Sequence, residues 1–192
     1  MEKIKIIAIV GSLRRDSYNR QLAMEAGRII RDQVIDEVSG GAELELLDYG
    51  DVPLLNQDNE YPAPDAVRWV RGVIKSAGGV WFFTPEYNHF FPGVLKNLID
   101  WLSRPISESE GQVLRGKPAA LSGITPGMSG TGIAQDHLVT LISFLNMKVM
   151  NQPRLVIPNA MQQTDQNGRL SLGFSAPLLE QQVKAFLHFI KN

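Results

Sequence analysis

The sequence predicts a single α/β domain over residues 1–192, with a doubly wound, five-stranded parallel sheet as the middle of three layers. Two observations favour this class. Apolar runs that suit buried strands alternate with segments of helical periodicity, so that a strand–helix unit repeats five times. No internal repeat or second-domain linker interrupts the series. Because each parallel crossover is right-handed and needs its own helix, helices are expected on both faces of the sheet.

The first strand–helix unit has the plainest pattern. Ile4–Val10 is mostly β-branched and apolar on both faces, as in a central parallel strand. From Ser17 to about Val38 apolar residues recur at helical spacing, and Gly40-Gly41 ends the helix. Ala42–Asp48 then alternates leucine with glutamate, which predicts a half-exposed strand near an edge of the sheet.

The middle of the chain contributes two further helices and a strand. Tyr49–Pro64 is a long loop with three prolines, and loops of this length are often functional. Asp65–Ala77 is helical by its apolar spacing, and Val80–Thr84 is the third strand. Pro85–Pro92 is a loop, and Gly93–Ser103 places its apolar residues along one side of a helix.

The last two strand–helix units follow the same order. Pro118–Gly123 is the fourth strand and Gly132–Met147 the helix after it. Lys148–Ile157 carries the fifth strand, which we expect to be split around Pro153 because proline cannot donate to a sheet ladder. A final helix begins at Ser175.

Composition excludes several classes of function. The 19 basic and 20 acidic residues nearly cancel, which argues against a nucleic-acid partner because such proteins present a cationic face. The absence of cysteine excludes disulfides, iron–sulfur clusters, thiolate zinc sites and cysteine nucleophiles. No metal site is expected, since no two histidines have ligand spacing with a carboxylate. No stretch has the features of a signal peptide or a membrane span, so we expect a cytoplasmic protein without a membrane partner.

The stretch Gly11–Arg20 has the composition of a phosphate-binding turn. It follows a buried strand and opens a helix, whose N-terminus offers unpaired N–H groups and about half a positive charge. Ser12 and Ser17 supply hydroxyl donors, and Arg14 or Arg15 a forked cation. A plain strand–helix turn, with Ser17 as the helix N-cap, is the alternative that this stretch leaves open.

Two other loops belong to the same predicted edge of the sheet. In an open parallel sheet the ligand lies beyond the carboxyl ends of the strands. The loops after strands one, three and four are therefore expected to converge on one site, and all are rich in Gly, Ser, Thr, Pro and Asn: Gly11–Ser17, Pro85–Pro92 and Gly123–Thr131.

Three motifs in this order resemble the NADPH-dependent FMN reductases, and among them the bacterial quinone and chromate reductases. The motifs are Gly-Ser-Leu-Arg from Gly11 with Ser17-Tyr18-Asn19, Pro85-Glu86-Tyr87-Asn88, and the run Gly93–Arg104. The resemblance covers nearly the whole chain. It implies a flavodoxin-like fold with strand order 2-1-3-4-5, FMN as cofactor, and NADPH or NADH as electron donor.

The same resemblance assigns roles to individual residues. The FMN phosphate would be held by side chains of Ser12, Arg14, Ser17 and Asn19, with backbone contacts from Leu13 and Tyr18. The flavin ring would be lined chiefly by backbone groups of Pro85, Glu86, Tyr87 and Asn88, and approached by Ser122 and Gly123. No catalytic side chain is required, because the flavin carries the chemistry.

Further expectations concern the mouth of the site and the assembly. His89 stands where relatives have an aromatic or small residue, and we expect it to alter the acceptor pocket. Arg104 is a candidate for attracting NADPH phosphate or an anionic acceptor, the alternative being a solvated cation at a helix C-terminus. The resemblance implies a homodimer or homotetramer, with Trp101 buried at a dimer interface. The acceptor stays open between a quinone, chromate, a ferric chelate and similar compounds.

Two alternatives to an enzyme accompany this interpretation. A flavodoxin-type electron carrier has no substrate of its own and usually presents a strongly acidic docking face, which a net charge of −1 does not favour. A nucleotide-binding module without redox activity is the third hypothesis.

Overall fold

The computed structural model describes residues 3–33, 41–105 and 110–192. Its strands are β1 (Ile4–Val10), β2 (Ala42–Leu46), β3 (Gly79–Phe83), β4 (Pro118–Ile124), β5 (Lys148–Val149) and β6 (Leu155–Ile157). All pair in parallel in the order β2-β1-β3-β4-β5, and β6 also pairs with β4. The predicted sheet order is confirmed.

The fifth strand of the prediction is divided into two, as expected around Pro153. β5 pairs with the start of β4, at Pro118 and Ala119, whereas β6 pairs with its end, from Ser122 to Ile124. The two short strands therefore occupy one position in the sheet, at opposite ends of the same neighbour.

Within the described residues, five α-helices cover the sheet: α1 (Tyr18–Gln33), α2 (Asp65–Ser76), α3 (Gly93–Ser103), α4 (Gly132–Phe144) and α5 (Ala176–Lys191). α1 and α5 pack on one face, over Ile6, Ala8 and Trp81 among other strand residues. α2, α3 and α4 pack on the other face, over Ile7 and Ile9. Neighbouring residues of β1 thus belong to opposite cores, which explains why the strand is apolar on both faces.

The predicted element boundaries hold to within a few residues. β2 lies at the edge of the sheet, where Glu43 and Glu45 are exposed and form ion pairs with Lys3 and Lys5 at 2.9 and 2.6 Å. α4 ends at Phe144 instead of Met147. The part of the first predicted helix at residues 34–40 lies outside the described residues. None of the described helices is long and apolar enough to cross a membrane.

One expectation about assembly is wrong. Trp101 is buried inside its own chain, with 1% of its surface exposed. Its Nε1–H donates to Pro53 O at 2.8 Å, and Asn97 on the same helix also donates to Pro53 O, at 2.9 Å. Trp101 therefore anchors the long loop after β2 to α3 and presents no surface to a second chain.

Candidate functional site

The loops after β1, β3 and β4 begin side by side at the carboxyl edge of the sheet. The N–H of Gly11 donates to Phe83 O at 2.8 Å, and the N–H of Thr84 donates to Ser122 O at 2.9 Å. A Cβ on Gly11 would lie 3.0 Å from Thr84 Oγ1 and 3.2 Å from Pro85 Cδ. The three loops therefore begin next to one another, as predicted, and a side chain at position 11 would require Thr84 or Pro85 to shift by a few tenths of an ångström.

The turn that opens α1 has the features of an anion site. Ser17 accepts from Arg20 N–H at 3.4 Å through its hydroxyl and from Gln21 N–H at 3.0 Å through its carbonyl. Within the described chain, the N–H groups of Tyr18 and Asn19 have no acceptor and point out of the helix end. The first turn of α1 carries no acidic residue. A negatively charged group is therefore favoured here by both hydrogen bonding and the helix dipole.

The side chains around this turn differ in their exposure to solvent and therefore in their accessibility to a ligand. The hydroxyl of Ser12 accepts from Arg14 N–H at 3.4 Å. Arg14 is exposed and bends back to donate to Asp16 O at 3.1 Å, and Leu13 is also exposed. Ser17 keeps only 6% of its surface exposed. Ser12 and Arg14 thus border the open end of α1, with Ser17 beneath them.

Asn19 is committed to the sheet. Its side chain is 2% exposed, donates to Ile124 O at 2.9 Å and accepts from Ile124 N–H at 3.1 Å. Both polar atoms of the amide are therefore engaged with the end of β4. In this structure the Asn19 side chain fixes α1 against the sheet and is not free for the phosphate contact that the resemblance suggested. Its backbone N–H has no acceptor in the described chain.

The second loop forms a two-residue hairpin. Tyr87 and Phe90 exchange backbone hydrogen bonds of 2.9 and 3.0 Å, and the tip residues Asn88 and His89 have φ of 53° and 61°. This is the backbone of a type I′ turn, which favours asparagine and glycine. The rings of Tyr87 and Phe90 are about half exposed, and Phe90 lies against Phe91 with 4.3 Å between ring centroids. The turn therefore presents polar backbone beside aromatic surface.

Glu86 holds this hairpin to α4. Its side chain is 6% exposed, and Oε2 accepts from Ala134 N–H, in the first turn of α4, at 3.0 Å. His89 Nδ1 lies 3.7 Å from Glu86 Oε1, and the His89 side chain is 76% exposed. The carboxylate is thus a structural acceptor at a helix N-terminus, where negative charge is stabilised.

Ser122 and Gly123, which were expected to approach the flavin ring, are both covered by other side chains in this structure. The Ser122 hydroxyl is fully buried: it accepts from Trp81 Nε1–H at 2.8 Å and donates to Gln182 Oε1 at 2.6 Å, on the side of α5. Gly123 is covered by Thr131, and a Cβ at Gly123 would clash with that side chain and lie 2.5 Å from Thr84 O. At this loop the structure places Thr131 over the strand end.

Arg104 lies away from the three loops. It follows α3, whose 11 residues run about 16 Å from the site edge toward the opposite edge of the sheet. Its guanidinium forms a double contact with the buried carboxylate of Glu60, at 2.6 and 3.1 Å, and this pairing raises its pKa. Within one chain Arg104 therefore holds the long loop after β2, and the structure does not bring it to the mouth of the site.

Tyr49 is a residue at this edge that sequence reasoning missed. It follows β2, and its hydroxyl donates to Val10 O at 2.6 Å, which fixes the last residue of β1. Burial raises the pKa of Tyr49, so the phenol stays a proton donor over the physiological range. The sequence did offer one indication of this role, because Tyr49 directly follows the predicted strand Ala42–Asp48 and so belongs to the carboxyl edge of the sheet.

The fold and the site together define a class: a flavodoxin-like α/β protein in which a helix N-terminus with N–H groups that lack an acceptor in the described chain lies beside a turn of polar backbone. Across the described residues no group of histidines, aspartates and glutamates is arranged to hold a metal ion. A phosphorylated, planar cofactor suits such an edge.

Comparison with known proteins identifies the family. The family model for NADPH-dependent FMN reductase matches residues 4–162, and the chain belongs to this family. It is 39% identical over 167 residues to a 2-hydroxy-1,4-benzoquinone reductase from a Burkholderia species, covering 87% of this chain and 85% of that one. It is 38% identical over 192 residues to an NAD(P)H-dependent FMN reductase of Pseudomonas aeruginosa, covering 100% and 97%.

A solved structure gives the same result. The flavoenzyme NAD(P)H:(acceptor) oxidoreductase FerB from Paracoccus denitrificans superposes with a TM-score of 0.82 at 31% identity, covering 98% of this chain and 97% of that chain. The chain is therefore an oxidoreductase with FMN as cofactor and NAD(P)H as electron donor. The resemblance that the motifs indicated is confirmed.

Proposed function

We propose that this protein reduces a quinone at the edge formed by the loops after β1, β3 and β4. When bound, FMN supplies the redox chemistry, taking a hydride from the nicotinamide and passing two electrons to the acceptor. The observation that carries the proposal is the pairing of the loop starts, since Gly11 N–H donates to Phe83 O at 2.8 Å and Thr84 N–H donates to Ser122 O at 2.9 Å. This pairing sets the phosphate turn beside the loop that carries the hairpin. Relatives whose names specify quinones support the choice of acceptor.

The phosphate of FMN would bind at the N-terminus of α1. The free N–H groups of Tyr18 and Asn19 face it, and Ser12, Ser17 and Arg14 surround it. Leu13 adds a backbone contact. Since the first turn carries no acidic side chain, a phosphate dianion meets attraction without a competing carboxylate on the helix.

The flavin ring would lie along residues 85–88. Glu86 is held in place by Ala134, so the backbone on both sides of it is fixed before a ligand arrives. A hairpin whose turn is already formed loses little conformational entropy on binding. Gly123 and Thr131 would close the far side, where the backbone of β4 ends.

The acceptor would stack on the exposed aromatic surface of the hairpin. Phe90 packs on Phe91, and His137 of α4 lies 4.6 Å from the Phe90 ring, so the surface extends from the hairpin to α4. A planar quinone fits such a surface better than a small oxyanion. Because chromate and a ferric chelate lack the planar apolar face of a quinone, we propose them only as secondary acceptors.

We also propose a homodimer or homotetramer, because Val94 and Ile133 leave apolar surface exposed beside this edge.

An anaerobic titration tests the function. The purified yellow protein is mixed with NADPH, and separately with NADH, while the visible flavin absorption is followed. We expect bleaching within seconds, and recovery of colour when a benzoquinone is added. A protein that stays oxidised with both nucleotides would be an electron carrier, and a colourless protein that takes up no added FMN would refute the cofactor site.

A further inference from the structure

A groove runs along the outer surface of α1, on the far side of the phosphate turn from the hairpin. It encloses about 1030 Å³ between α1 and residues 167–172. Gln21 fixes its width, because Oε1 accepts from Leu170 N–H at 2.7 Å and Nε2 donates to Gly168 O at 3.4 Å. Residues 165–169 close on themselves, since Asp165 N–H donates to Arg169 O at 2.8 Å. Both walls are therefore formed without a ligand.

Four arginines line the groove, and its acidic residues are Asp16 and Glu25. Two of the arginines have ion-pair partners: Arg28 pairs with Glu25 at 2.7 Å and with Asp32 at 3.2 Å, and Arg31 pairs with Asp32 at 3.4 Å. Arg15 and Arg169 also line the groove, and neither has an ion-pair partner in the described part of the chain. Two guanidinium groups are thus available to an anion, and the guanidinium fork is well suited to bind phosphate.

The rest of the lining includes apolar surface. Met24 is 57% exposed on the α1 side, and the half-buried Leu170 and Ala176 contribute from the other wall. Flexible methionine beside leucine suits the face of a planar base. An apolar surface in the same groove as two arginines without ion-pair partners in the described chain suits a phosphorylated nucleoside.

The groove opens at the phosphate turn. Arg15 and Asp16, which line its upper end, directly follow Arg14 in the loop that would hold FMN phosphate. A dinucleotide whose nicotinamide lies at the flavin ring would therefore extend past this turn toward α1.

We propose that the groove binds the adenosine end of NADPH, with its 2′-phosphate at Arg15 and Arg169. The inference rests on the proposed function, since it assumes that the nicotinamide reaches bound FMN. It assigns the chain a preference for NADPH over NADH, because NADH lacks the 2′-phosphate and leaves both arginines without an anion.

Calorimetric titration of the FMN-loaded protein with 2′,5′-ADP and with 5′-AMP tests this assignment without catalysis. We expect 2′,5′-ADP to bind about tenfold more tightly, the effect of a charge-assisted hydrogen-bonded pair. Arg169→Ala should remove most of that difference and raise the ratio of the KM for NADPH to the KM for NADH by about tenfold. Arg169→Lys should keep part of the difference in affinity between 2′,5′-ADP and 5′-AMP, because lysine keeps the positive charge but loses the two parallel N–H donors of the guanidinium.

Arg115→Ala is the matched control, because Arg115 is an exposed arginine before β4, at the opposite edge of the sheet. Arg15→Ala is measured with its FMN content, since Arg15 adjoins the phosphate turn. Equal binding of the two adenosine phosphates, or an unchanged ratio in Arg169→Ala, would overturn the groove assignment. If wild-type protein is bleached by both nucleotides in that case, the proposed function stands and only the groove assignment fails.

Discussion

The carboxylate of Glu86 accepts a hydrogen bond from the backbone N–H of Ala134, with 3.0 Å between Oε2 and the nitrogen. This bond joins the hairpin after β3 to the first turn of α4, across two loops of the same edge. It satisfies an N–H that has no acceptor within the helix and places negative charge at the positive end of the helix dipole. The proposed ring site is therefore rigid on the side where the acceptor would approach.

Substitution of Glu86 tests this link. Glu86→Ala removes the acceptor, and we expect it to lower the free energy of unfolding by about 1 kcal/mol, as for loss of a helix cap. Glu86→Gln keeps an acceptor and loses only the charge, so a decrease of about 0.5 kcal/mol is expected. Urea denaturation measures both, and FMN titration should show weaker binding for Glu86→Ala than for Glu86→Gln. Equal effects of the two variants would contradict a role for the hydrogen bond.

Variants at the α1 turn test the phosphate assignment. Arg14→Ala removes an exposed cation and should weaken FMN binding by about tenfold. Arg14→Ala combined with Ser17→Ala should release FMN during purification and abolish reductase activity. Because Ser17→Ala alone also removes a helix cap, unfolding of the single variant is measured separately. A yellow double variant with wild-type turnover would show that the phosphate binds elsewhere.

Gly123 tests how closely the end of β4 is packed. Its missing side chain leaves room for Thr131 and for Thr84 O, and a methyl group would lie 2.5 Å from that carbonyl. Gly123→Ala should therefore destabilise the fold by about 3 kcal/mol and reduce the FMN content. Gly72→Ala is the control: Gly72 is an exposed position within α2 with no neighbouring atom within 4 Å of the added methyl group. Thermal unfolding should show a loss for the first variant and a gain of about 1 kcal/mol for the control.

At the tip of the hairpin, replacing His89 should raise the stability of the fold and change the KM for the acceptor. His89 has φ of 61°, a left-handed conformation that is unfavourable for residues with a Cβ. His89→Gly creates the Asn-Gly pair that type I′ turns prefer, and we expect a gain of about 0.5 kcal/mol in unfolding free energy. The KM for a quinone should change at the same time if His89 shapes the acceptor pocket. A lower stability would mean that the contact with Glu86, 3.7 Å away, outweighs the backbone strain.

The sheet and the meeting of the loops could be predicted because both depend on local pattern and topology. β1 and β3 are buried on both faces, so their apolar runs have no periodic interruption and read directly as central strands. The order of strand and helix then fixes which loops share the carboxyl edge. Pro153 marked the break between β5 and β6 for an equally local reason, the absence of an N–H.

The use of individual polar side chains could not be predicted, because their partners are distant in sequence. Asn19 is bonded to Ile124, 105 positions away, and the Ser122 hydroxyl to Gln182, 60 positions away. No spacing rule connects such pairs. Thr131, which covers Gly123, has φ of 77°, a conformation that threonine rarely adopts and that its sequence does not signal. The motifs therefore identified the family, but they did not show which of their side chains are engaged within the fold.

A pH-dependent contribution to stability lies at the other end of the protein. Arg71 on α2 is 1% exposed and donates to the carbonyls of Trp101, Arg104 and Gly111, at 3.1, 2.6 and 2.8 Å. The Glu110 carboxylate bridges Arg71, at 3.2 Å, and Lys75, at 2.6 Å. The hydrogen bond from Lys75, followed by that from Arg71, lowers the pKa of Glu110.

The sign of the effect follows from that lowered pKa. A carboxylate whose pKa is lower in the folded state stabilises the fold above its unfolded pKa of about 4.3, and this contribution disappears as the pH falls through the folded value. Glu110→Gln should therefore destabilise the protein by about 1 kcal/mol at pH 7 and by progressively less below about pH 4. Urea midpoints measured from neutral to acidic pH for wild type and variant test this. Asp51→Asn, at an exposed carboxylate without an ion pair in the described chain, is the control. A difference between wild type and Glu110→Gln that stays constant into acid would show that the Glu110 charge does not carry the effect.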